Sequence, residues 1–329
     1  MDTTSPTIAR WLYRLQRPWP LTLRPLATMA HELETTEATL ISFIRDLRLA
    51  GMVRRIGGVF DARQLGYRSS LFAITAHENV LEQAAAEVAT LPGVTHVYTR
   101  GWPDDYTRDG ITSNDYQTYP NLWYTLSARA DTFETEATKL SKWAPQAFPA
   151  LTRFKIDVVF DTRTRQRDEK TEYRPTLEVV STPIPSEEQQ AIVRYYQDDT
   201  AMPEAPFREE DLAQLQDWFE KGIMRRYALL LRHRASGFIA NAMCCWYIPE
   251  EDLLTAGRAL ATTTDVTHCY ARPTAHNFPF NLYAMIHKTT WDEAYDTYIR
   301  LSTLLPITTP GRIFFSTREF KKTSLRCFV

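Results

Sequence analysis

Two short segments of the chain carry the same spaced series of chemically versatile side chains. Residues 94–100 read Val-Thr-His-Val-Tyr-Thr-Arg, and residues 266–272 read Val-Thr-His-Cys-Tyr-Ala-Arg. Alternate side chains of a β-strand share a face, so each segment presents three of them together: His96, Tyr98 and Arg100 in the first, His268, Tyr270 and Arg272 in the second. Histidine transfers protons near neutral pH, and arginine binds carboxylates through parallel hydrogen bonds. The series indicates an anion-binding site that moves protons.

A third predicted strand adds polar side chains to the second segment. On residues 281–287 the alternation places four side chains on one face: Asn281, Tyr283, Met285 and His287. Asn241, on the preceding predicted strand, is a further candidate. Such a face is an unusual core, because buried polar groups cost free energy unless they are paired. The alternative is structural, since a strand histidine often only satisfies local hydrogen bonds, and repeat packing would reproduce it.

The densest positive charge in the chain lies just before these strands. Within ten residues the chain has Arg225, Arg226, Arg232, His233 and Arg234. Lys321, near the C-terminus, extends this cluster, and Arg54 with Arg55 is its counterpart earlier in the chain. One interpretation is a solvated basic loop. The other is a binding surface for a ligand with many carboxylates, which concentrated positive charge attracts.

These matches belong to an internal duplication. Residues 51–55 read Gly-Met-Val-Arg-Arg and residues 222–226 read Gly-Ile-Met-Arg-Arg, at nearly the same offset as the two histidine segments. We infer two diverged copies of one unit of about 165 residues, since repeats are a primary signal of architecture. Two similar units in one chain can hold one ligand between them.

Each copy is predicted to contain two kinds of domain. In the first copy, helices over residues 7–16, 25–33 and 36–50 precede a β-like stretch that ends at Phe60, which is typical of a winged helix-turn-helix. Gly51 is expected to end the third helix. The elements that follow have the order β-α-β-β-α-β of a ferredoxin-like unit: 71–76, 79–91, 94–100, 121–127, 132–143 and 153–160. The stretch 101–120 is interpreted as a surface loop peculiar to this copy.

The predicted fold class is therefore α+β, an internal duplication of a winged helix-turn-helix domain plus a ferredoxin-like βαββαβ domain. The expected winged-helix domains are residues 1–68 and 187–235, the expected ferredoxin-like domains are residues 69–165 and 236–329, and residues 166–186 are the expected linker. The two ferredoxin-like domains should pair as a pseudo-dimer. The main ligand site is expected on the second.

Composition limits the partners and the cellular location that we expect for the protein. The chain has 329 residues, a net charge of −2 and a pI of about 6.4, which argues against an obligate nucleic-acid binder. No apolar run approaches the roughly 18 residues of a membrane span, and the N-terminus has no signal pattern. The four cysteines lack Cys-x-x-Cys spacing, so no metal site is expected. We expect a cytoplasmic protein without nucleic-acid or membrane partners.

The motifs resemble those of a known superfamily. Residues 54–67, with Arg-Arg-Ile-Gly-Gly-Val-Phe-Asp followed by Leu-Gly-Tyr, resemble the Lrp/AsnC regulators, whose ligand domain is of the AsnC type. The second copy is similar to one branch, the siroheme decarboxylases. The matching stretches are Leu-Arg-His-Arg at 231–234, His-Cys-Tyr-Ala-Arg-Pro at 268–273, Phe-Pro-Phe-Asn-Leu-Tyr-Ala-Met-Ile-His at 278–287 and Ser-Thr-Arg-Glu-Phe-Lys-Lys at 316–322.

The first copy resembles the partner subunit of the same enzymes. The resemblance is carried by His96, Tyr98 and Arg100 and by the Asn-Leu-Trp-Tyr of residues 121–124. The partner subunit usually has a short basic turn with a second histidine after its Tyr-x-Arg. Residues 101–120 replace that turn here, so no role from it is transferred to this chain.

The resemblance implies an enzyme. The family removes two ring acetates of siroheme, an iron tetrapyrrole with eight carboxylates, as carbon dioxide, giving 12,18-didecarboxysiroheme on the way to haem or d1-type haem. No cofactor is expected beyond the substrate iron. A homodimer and contacts with other tetrapyrrole-pathway enzymes stay open.

The resemblance also gives the candidate residues their roles. Histidine suits proton delivery, and the order of preference is His233 and His268, then His287, then His96; either His287 or His233 could instead ligate the iron. The arginines would hold substrate carboxylates. The expected substrate-binding set is Arg225, Arg226, Arg232, Arg234, Tyr270, Arg272, Asn241, Tyr283, Lys321 and Arg100.

Two other functions compete with this one. A winged helix with a ligand domain usually indicates a DNA-binding regulator, whose recognition helix needs positive charge to neutralise phosphates. The candidate helix of the second copy, residues 209–221, carries five acidic residues against one lysine, and that of the first copy is neutral. The third function is a haem or siroheme carrier or sensor without turnover, which the same arginine and histidine face would serve.

Overall fold

The computed structural model describes residues 5–156, 185–232, 238–306 and 311–329. The first winged-helix unit contains α1 (Pro6–Gln16), α2 (Pro25–Glu32), α3 (Glu37–Leu49) and β1 (Val53–Phe60). The Thr36 hydroxyl accepts a hydrogen bond from the amide of Thr39 and so caps the start of α3. Gly51 follows α3 with a φ of +69°, which confirms its expected place just after the helix.

The second winged-helix unit shares its core with the first. It contains α6 (Glu187–Gln197), a 3-10 turn (Glu209–Asp211), α7 (Leu212–Glu220) and β7 (Met224–Leu231). Strand β7 pairs antiparallel with β1. One hydrophobic cluster contains Leu12 and Phe43 of the first unit with Tyr196 and Trp218 of the second. The two units therefore form one body, and β1 with β7 forms a two-stranded sheet that we call the roof.

The two ferredoxin-like units have the predicted order of helices and strands. The first contains β2 (Tyr67–Ile74), α4 (Glu78–Thr90), β3 (Val94–Gly101), β4 (Leu122–Arg129), α5 (Phe133–Thr138), β5 (Gln146–Phe148) and β6 (Thr152–Ile156). The second contains β8 (Ala240–Trp246), α8 (Glu250–Thr262), β9 (Val266–Ala271), β10 (Leu282–Lys288), α9 (Trp291–Ser302) and β11 (Arg312–Lys322). The α+β fold is confirmed. Most of the expected linker lies outside the described residues, as do residues 157–160 of the expected last strand.

The strands of both units join into one curled sheet. Within the described residues its order is β5-β2-β4-β3-β11-β8-β10-β9-β6. Strand β11 pairs first with β8 of its own unit and then with β3 of the other, while β5 pairs with β2 and β6 pairs with β9. The described strands β5 and β6 are not paired with each other, but the two ends of the sheet meet, because Arg272 after β9 donates to the carbonyl of Phe148 on β5, and the amide of Leu151, between β5 and β6, donates to the carbonyl of Ala271 of β9. We call the sheet closed in this way the barrel.

Each strand of the barrel has a helix-covered outer face and an inner face. Leu122, Tyr124 and Leu126 of β4 share a buried cluster with Ala84 of α4, so Trp123 between them points inward. The same alternation on β3 and β9 turns both histidine-tyrosine-arginine series into the interior. We call the end of the barrel near the two histidines the mouth and the end near the two arginines the floor.

The loop of residues 101–120 is not the simple surface loop that the sequence predicts. Trp102 and Tyr116 are 3% and 6% exposed, and both rings contact the barrel, Trp102 against Phe315 and Tyr116 against Phe314. Arg108 forms ion pairs with two aspartates of α9. The loop therefore covers the floor, because its widely spaced aromatic side chains have apolar surface to bury.

No helix among the described residues is long and apolar enough to cross a membrane.

Packing between the two halves predicts a large loss of stability for Phe154→Ala. Phe154 of β6 is 4% exposed, and a methyl group built on Gly257 of α8 would lie 2.3 Å from its ring. The variant should lose about 3–5 kcal/mol of unfolding free energy because a cavity opens between the halves. Urea unfolding measures it, with Leu151→Ala, 65% exposed, as the control that should change little. A wild-type midpoint for Phe154→Ala would contradict this contact.

Candidate active site

Two histidines face each other across the mouth of the barrel. His96 lies on β3 and His268 on β9, which are on opposite sides of the closed sheet. The charge of His268 contributes to lowering the pKa of His96, so the two rings are near neighbours. Each Nδ1 contacts the hydroxyl of the preceding threonine, at 2.9 Å for His96 and 3.1 Å for His268. The neighbouring threonine thus fixes one nitrogen of each ring.

The tyrosines and arginines continue both series toward the floor. The ring centroids of His96 and Tyr98 are 6.1 Å apart, and those of His268 and Tyr270 are 6.2 Å apart. The guanidinium of each arginine lies over the tyrosine of its own strand, at 5.4 Å in the first half and 4.6 Å in the second. Each half thus presents the same histidine, aromatic ring and cation in the same order.

The other predicted residues of the second half complete the inner wall. Tyr283 of β10 is paired in register with Tyr270, and His287 is paired with Asn241 of β8. The hydroxyl of Tyr283 and the side-chain oxygen of Asn241 are buried without a hydrogen-bond partner. Such groups are costly in a folded protein. They are the groups that a polar ligand in the barrel would satisfy.

The roof supplies positive charge above the first-half histidine. Burial lowers the pKa of Arg54 on β1, and the next largest effects on this pKa come from the charges of Tyr98, Arg232 and Glu319. Burial lowers the pKa of His96 to about 3, and Arg54 is the largest of the cations that lower it further. Arg54 therefore lies close to His96, and Arg232 lies close to Arg54. The sequence alone indicates for Arg54 only that it is the counterpart of Arg225.

A second set of charges lies beside Tyr270 of the second half. Burial lowers the pKa of Arg153 on β6, and the next largest effects on its pKa come from Tyr270, Arg63, Asp61 and Arg225. Arg225 and Arg54 occupy equivalent positions in the two copies. The cluster predicted as one patch is therefore divided between the two halves of the barrel, and Arg153, Asp61 and Arg63 join it. No sequence pattern indicates these three, because pairing between the halves places them there.

Several predicted residues are not placed in this site. Lys321 is on the outer face, where its Nζ donates to the carbonyls of Ala89 and Leu91 at the end of α4, at 2.8 and 2.9 Å. Arg226 follows Arg225 on β7, where the pairing with β1 changes register, so alternation does not determine the direction of its side chain. His233 and Arg234 lie outside the described residues.

The environment of His96 predicts a pH dependence of stability. Its pKa, about 3 in the folded protein, is depressed from 6.5, mainly by burial and then by the charges of Arg54, Lys322, His268 and Arg100. Above pH 6.5 the ring is neutral in both the folded and the unfolded protein, so the free energy of unfolding keeps its full value. As the pH falls from 6.5 toward 3, the unfolded chain takes up a proton that the folded protein does not, and the free energy of unfolding decreases. At pH 5 the loss should be about 1–2 kcal/mol.

His96→Asn should therefore flatten the acid dependence of the unliganded protein. Urea unfolding of both proteins at pH 7.5 and pH 5 measures the difference. If the variant loses as much stability as the wild type between these two values, the ring is not the neutral group that its surroundings require.

The described residues form no metal-binding cluster. Among them, no group of three or more histidine, cysteine, aspartate or glutamate side chains could hold a metal ion. Two surface cavities, of about 250 and 510 Å³, lie elsewhere, the first beside Trp19 and the second beside Asp265 on the outer face. The candidate chemical groups of the barrel interior include histidine, tyrosine and arginine side chains.

The fold and this inner face define a duplicated AsnC-type ligand-binding protein. Residues 64–154 and 235–321 match the family model described as the AsnC-like ligand binding domain. The helices of one winged-helix unit precede each match.

Two similar proteins show to which family within this class the chain belongs. The chain is 32% identical to a siroheme decarboxylase of Hydrogenobacter thermophilus, over 95% of this chain and 92% of that protein. It is 30% identical to the siroheme decarboxylase NirDL subunit of Paracoccus pantotrophus, over 95% and 94%. The chain belongs to the siroheme decarboxylases, in the form that carries both halves in one polypeptide.

Solved structures agree with this family. The crystal structure of the siroheme decarboxylase NirDL is 28% identical and superposes with a TM-score of 0.66 over 98% of this chain and 94% of that chain. A second structure of that protein, in complex with an iron-uroporphyrin III analogue, gives a TM-score of 0.65 over 97% and 94%. The resemblance inferred from the motifs is confirmed.

Proposed function

We propose that this protein removes the carboxyl groups of two acetate side chains of siroheme, giving 12,18-didecarboxysiroheme and two molecules of carbon dioxide. The observation that carries the proposal is the pair of facing histidine-tyrosine-arginine series inside a closed barrel, in a chain of this family. The family supplies the substrate class. The inner face of the barrel carries the histidines and arginines to which the proposal assigns proton donation and carboxylate binding.

The reaction needs one proton for each acetate. The bond between the acetate methylene and its carboxylate breaks, carbon dioxide leaves, and the electron pair stays on the methylene carbon, where the adjacent macrocycle delocalises it. A proton then converts that carbon to a methyl group. A general acid held at this carbon speeds such a step by about 10²–10⁴-fold.

We assign the proton donation to histidines of the mouth. His268 is the first choice among the described residues, with His287 and His96 as further donors and with His233 or His287 as the alternative iron ligand. His96 is neutral without ligand, because burial and then the neighbouring cations lower its pKa to about 3. Substrate carboxylates would raise its pKa and let it take up a proton.

The arginines and tyrosines have the complementary task of binding. Arg54, Arg225 and Arg232 at the mouth and Arg100 with Arg272 at the floor would hold carboxylates, while Tyr98 and Tyr270 offer ring faces to the macrocycle. We propose no cofactor beyond the iron of the substrate. The product would enter haem or d1-type haem formation.

The regulator alternative has little support in the fold. The candidate recognition helix α7 is acidic, and DNA binding needs cations that meet phosphates. The two wings pair with each other in the roof. The arginines of these wings interact electrostatically with groups of the barrel, Arg54 with Tyr98 and Arg225 with Arg153. These two arginines are therefore turned away from the surface that DNA would contact.

Anaerobic incubation of the purified protein with siroheme tests the proposal. Mass spectrometry of the tetrapyrrole should show the loss of two carbon dioxide units. Siroheme that is bound tightly but unchanged would instead support the carrier or sensor. The absence of binding would return the regulator to consideration.

A further inference from the structure

The floor of the barrel contains buried donor groups that have no acceptor. Nε and Nη1 of Arg100 have no hydrogen-bond partner, and neither has the hydroxyl of Ser316, which is paired in register with Arg100. Ser316 is 3% and Arg100 is 8% exposed. A buried donor without a partner costs free energy. These groups face the interior, where a ligand bound in the barrel would supply an acceptor.

The missing acceptor should be an anion. Burial lowers the pKa of Arg100, and the other groups that act on it, Tyr98 and Cys245, are not carboxylates. Arginine stays protonated in proteins, and a buried cation without a counter-ion is strongly destabilising. Arg272, its equivalent in the second half, is better satisfied, because its Nη1 donates to the carbonyl of Phe148, although its Nε is also buried without a partner. The two halves are therefore unequal at the floor, and the arginine with more unpaired donor atoms belongs to the first half.

We propose that Arg100, together with Ser316, forms a closed subsite for one propionate carboxylate of the substrate, a group that the enzyme retains. The proposal rests on the proposed function and specifies how the substrate is oriented. A propionate is one methylene longer than an acetate, so it reaches deeper from the same macrocycle. The loop of residues 101–120 and the floor aromatic residues exclude water from this end.

The charge of the guanidinium explains why the bound group is retained. An ion pair with Arg100 stabilises a carboxylate before reaction, whereas decarboxylation removes that charge, so the pair would raise the barrier. Arg100 is also four residues beyond His96 along β3, about 13 Å at the rise of a strand. A carboxylate at the floor is therefore far from the proton donors, and its binding leaves the acetates at the level of the histidines.

Two iron porphyrins that differ in their acetates test the subsite. Iron-uroporphyrin III has acetates and propionates, whereas iron-coproporphyrin III keeps the propionates and has methyl groups in place of the acetates. Arg100→Gln should weaken the binding of both, by about tenfold or more, since a charge-assisted pair is lost. The control Arg318→Gln removes an exposed arginine that pairs with Glu82 outside the barrel, and it should bind both probes as the wild type does.

Three results would overturn the proposal. Wild-type binding of both probes by Arg100→Gln would mean that no carboxylate reaches the floor. A loss confined to iron-uroporphyrin III would mean that the subsite takes an acetate. A fall in the melting temperature of the unliganded variant would assign Arg100 to the fold, because removing an unpaired buried charge should leave that temperature unchanged or raise it. Neither probe has to react, so the test is independent of whether siroheme is decarboxylated.

Discussion

His268→Ala is expected to lower the rate of siroheme decarboxylation by about 10²–10⁴-fold, to near background. The carbon that loses carbon dioxide needs a proton, and His268 is placed at the mouth of the barrel opposite His96. Its Nδ1 contacts Thr267, which fixes the orientation of the ring. The rest of the barrel does not depend on the ring, since its position is partly exposed.

Anaerobic single-turnover measurements with mass spectrometry follow this loss directly. His31→Ala is the control, because His31 is an exposed residue of α2 in the winged-helix unit and should leave the rate unchanged. The melting temperature of both variants should stay near that of the wild type. Full activity of His268→Ala would contradict the assignment of proton donation to this residue and would shift it to His287 or His233.

Removing the two equivalent roof arginines should weaken substrate binding by about 10²-fold. Arg54 and Arg225 each lie above one histidine series, and the substrate brings eight carboxylates to a mouth that these cations line. Each arginine should contribute about tenfold, which is typical of a charge-assisted contact. Arg54→Gln with Arg225→Gln should also reduce the dependence of affinity on salt, because fewer charges attract the ligand.

Titration of tryptophan fluorescence with iron-uroporphyrin III at two salt concentrations measures this effect. Lys321→Gln is the matched control, because Lys321 carries the same charge but donates to the end of α4 on the outer face. Its affinity should equal that of the wild type. If Lys321→Gln loses as much affinity as the double variant, the ligand is attracted by the overall charge of the protein and not by specific contacts with the arginines at the mouth.

Repetition and periodicity were enough to predict the units of the fold. The three-residue and four-residue spacing of Leu40, Phe43, Ile44 and Leu47 predicted α3, and all four side chains are buried. Gly51 and Gly222 recur in the two copies, and both have positive φ. Local rules suffice here because helix periodicity and chain reversal depend on residues close in sequence.

The sequence predicts that the two ferredoxin-like units pair, but it does not predict which strands pair between the halves, and these strand pairs change the site. Arg153 belongs to the first half, but its strand β6 pairs with β9 of the second, so its side chain acts beside Tyr270. The roof likewise depends on the pairing of β1 with β7. No local pattern specifies which distant strands meet, since any two strands with suitable faces can pair.

Strand irregularities account for the placement of Glu319, whereas simple alternation accounts for that of Lys321. Counted from the inward-facing Ser316, alternation turns Lys321 outward and Lys322 inward, as the structure shows. Strand β11 changes register between Ser316 and Arg318 and again between Glu319 and Lys321. Each irregularity reverses which residues face inward, so the first one pairs Glu319 with the inward-facing Tyr98, and the second restores the original alternation at Lys321.

Repetition by itself does not identify the residues that do chemistry. Asn121 and Asn281 recur like the histidines, but each uses its side-chain amide to bind the backbone of a neighbouring segment, Asn121 at Ala76 and Asn281 at Ile248. The arginines differ because Arg100 keeps buried donors without partners. The distinction between structural and ligand-binding repeats therefore needs the hydrogen bonds, which the sequence does not show.

A crystal structure of this protein with iron-uroporphyrin III tests the central claim most directly. The account predicts that the macrocycle lies inside the barrel, between β3 and β9 and beneath the roof, with carboxylates at the roof arginines and one at Arg100. A macrocycle bound outside the barrel, for example in the cavity beside Asp265 or against α7, would contradict it.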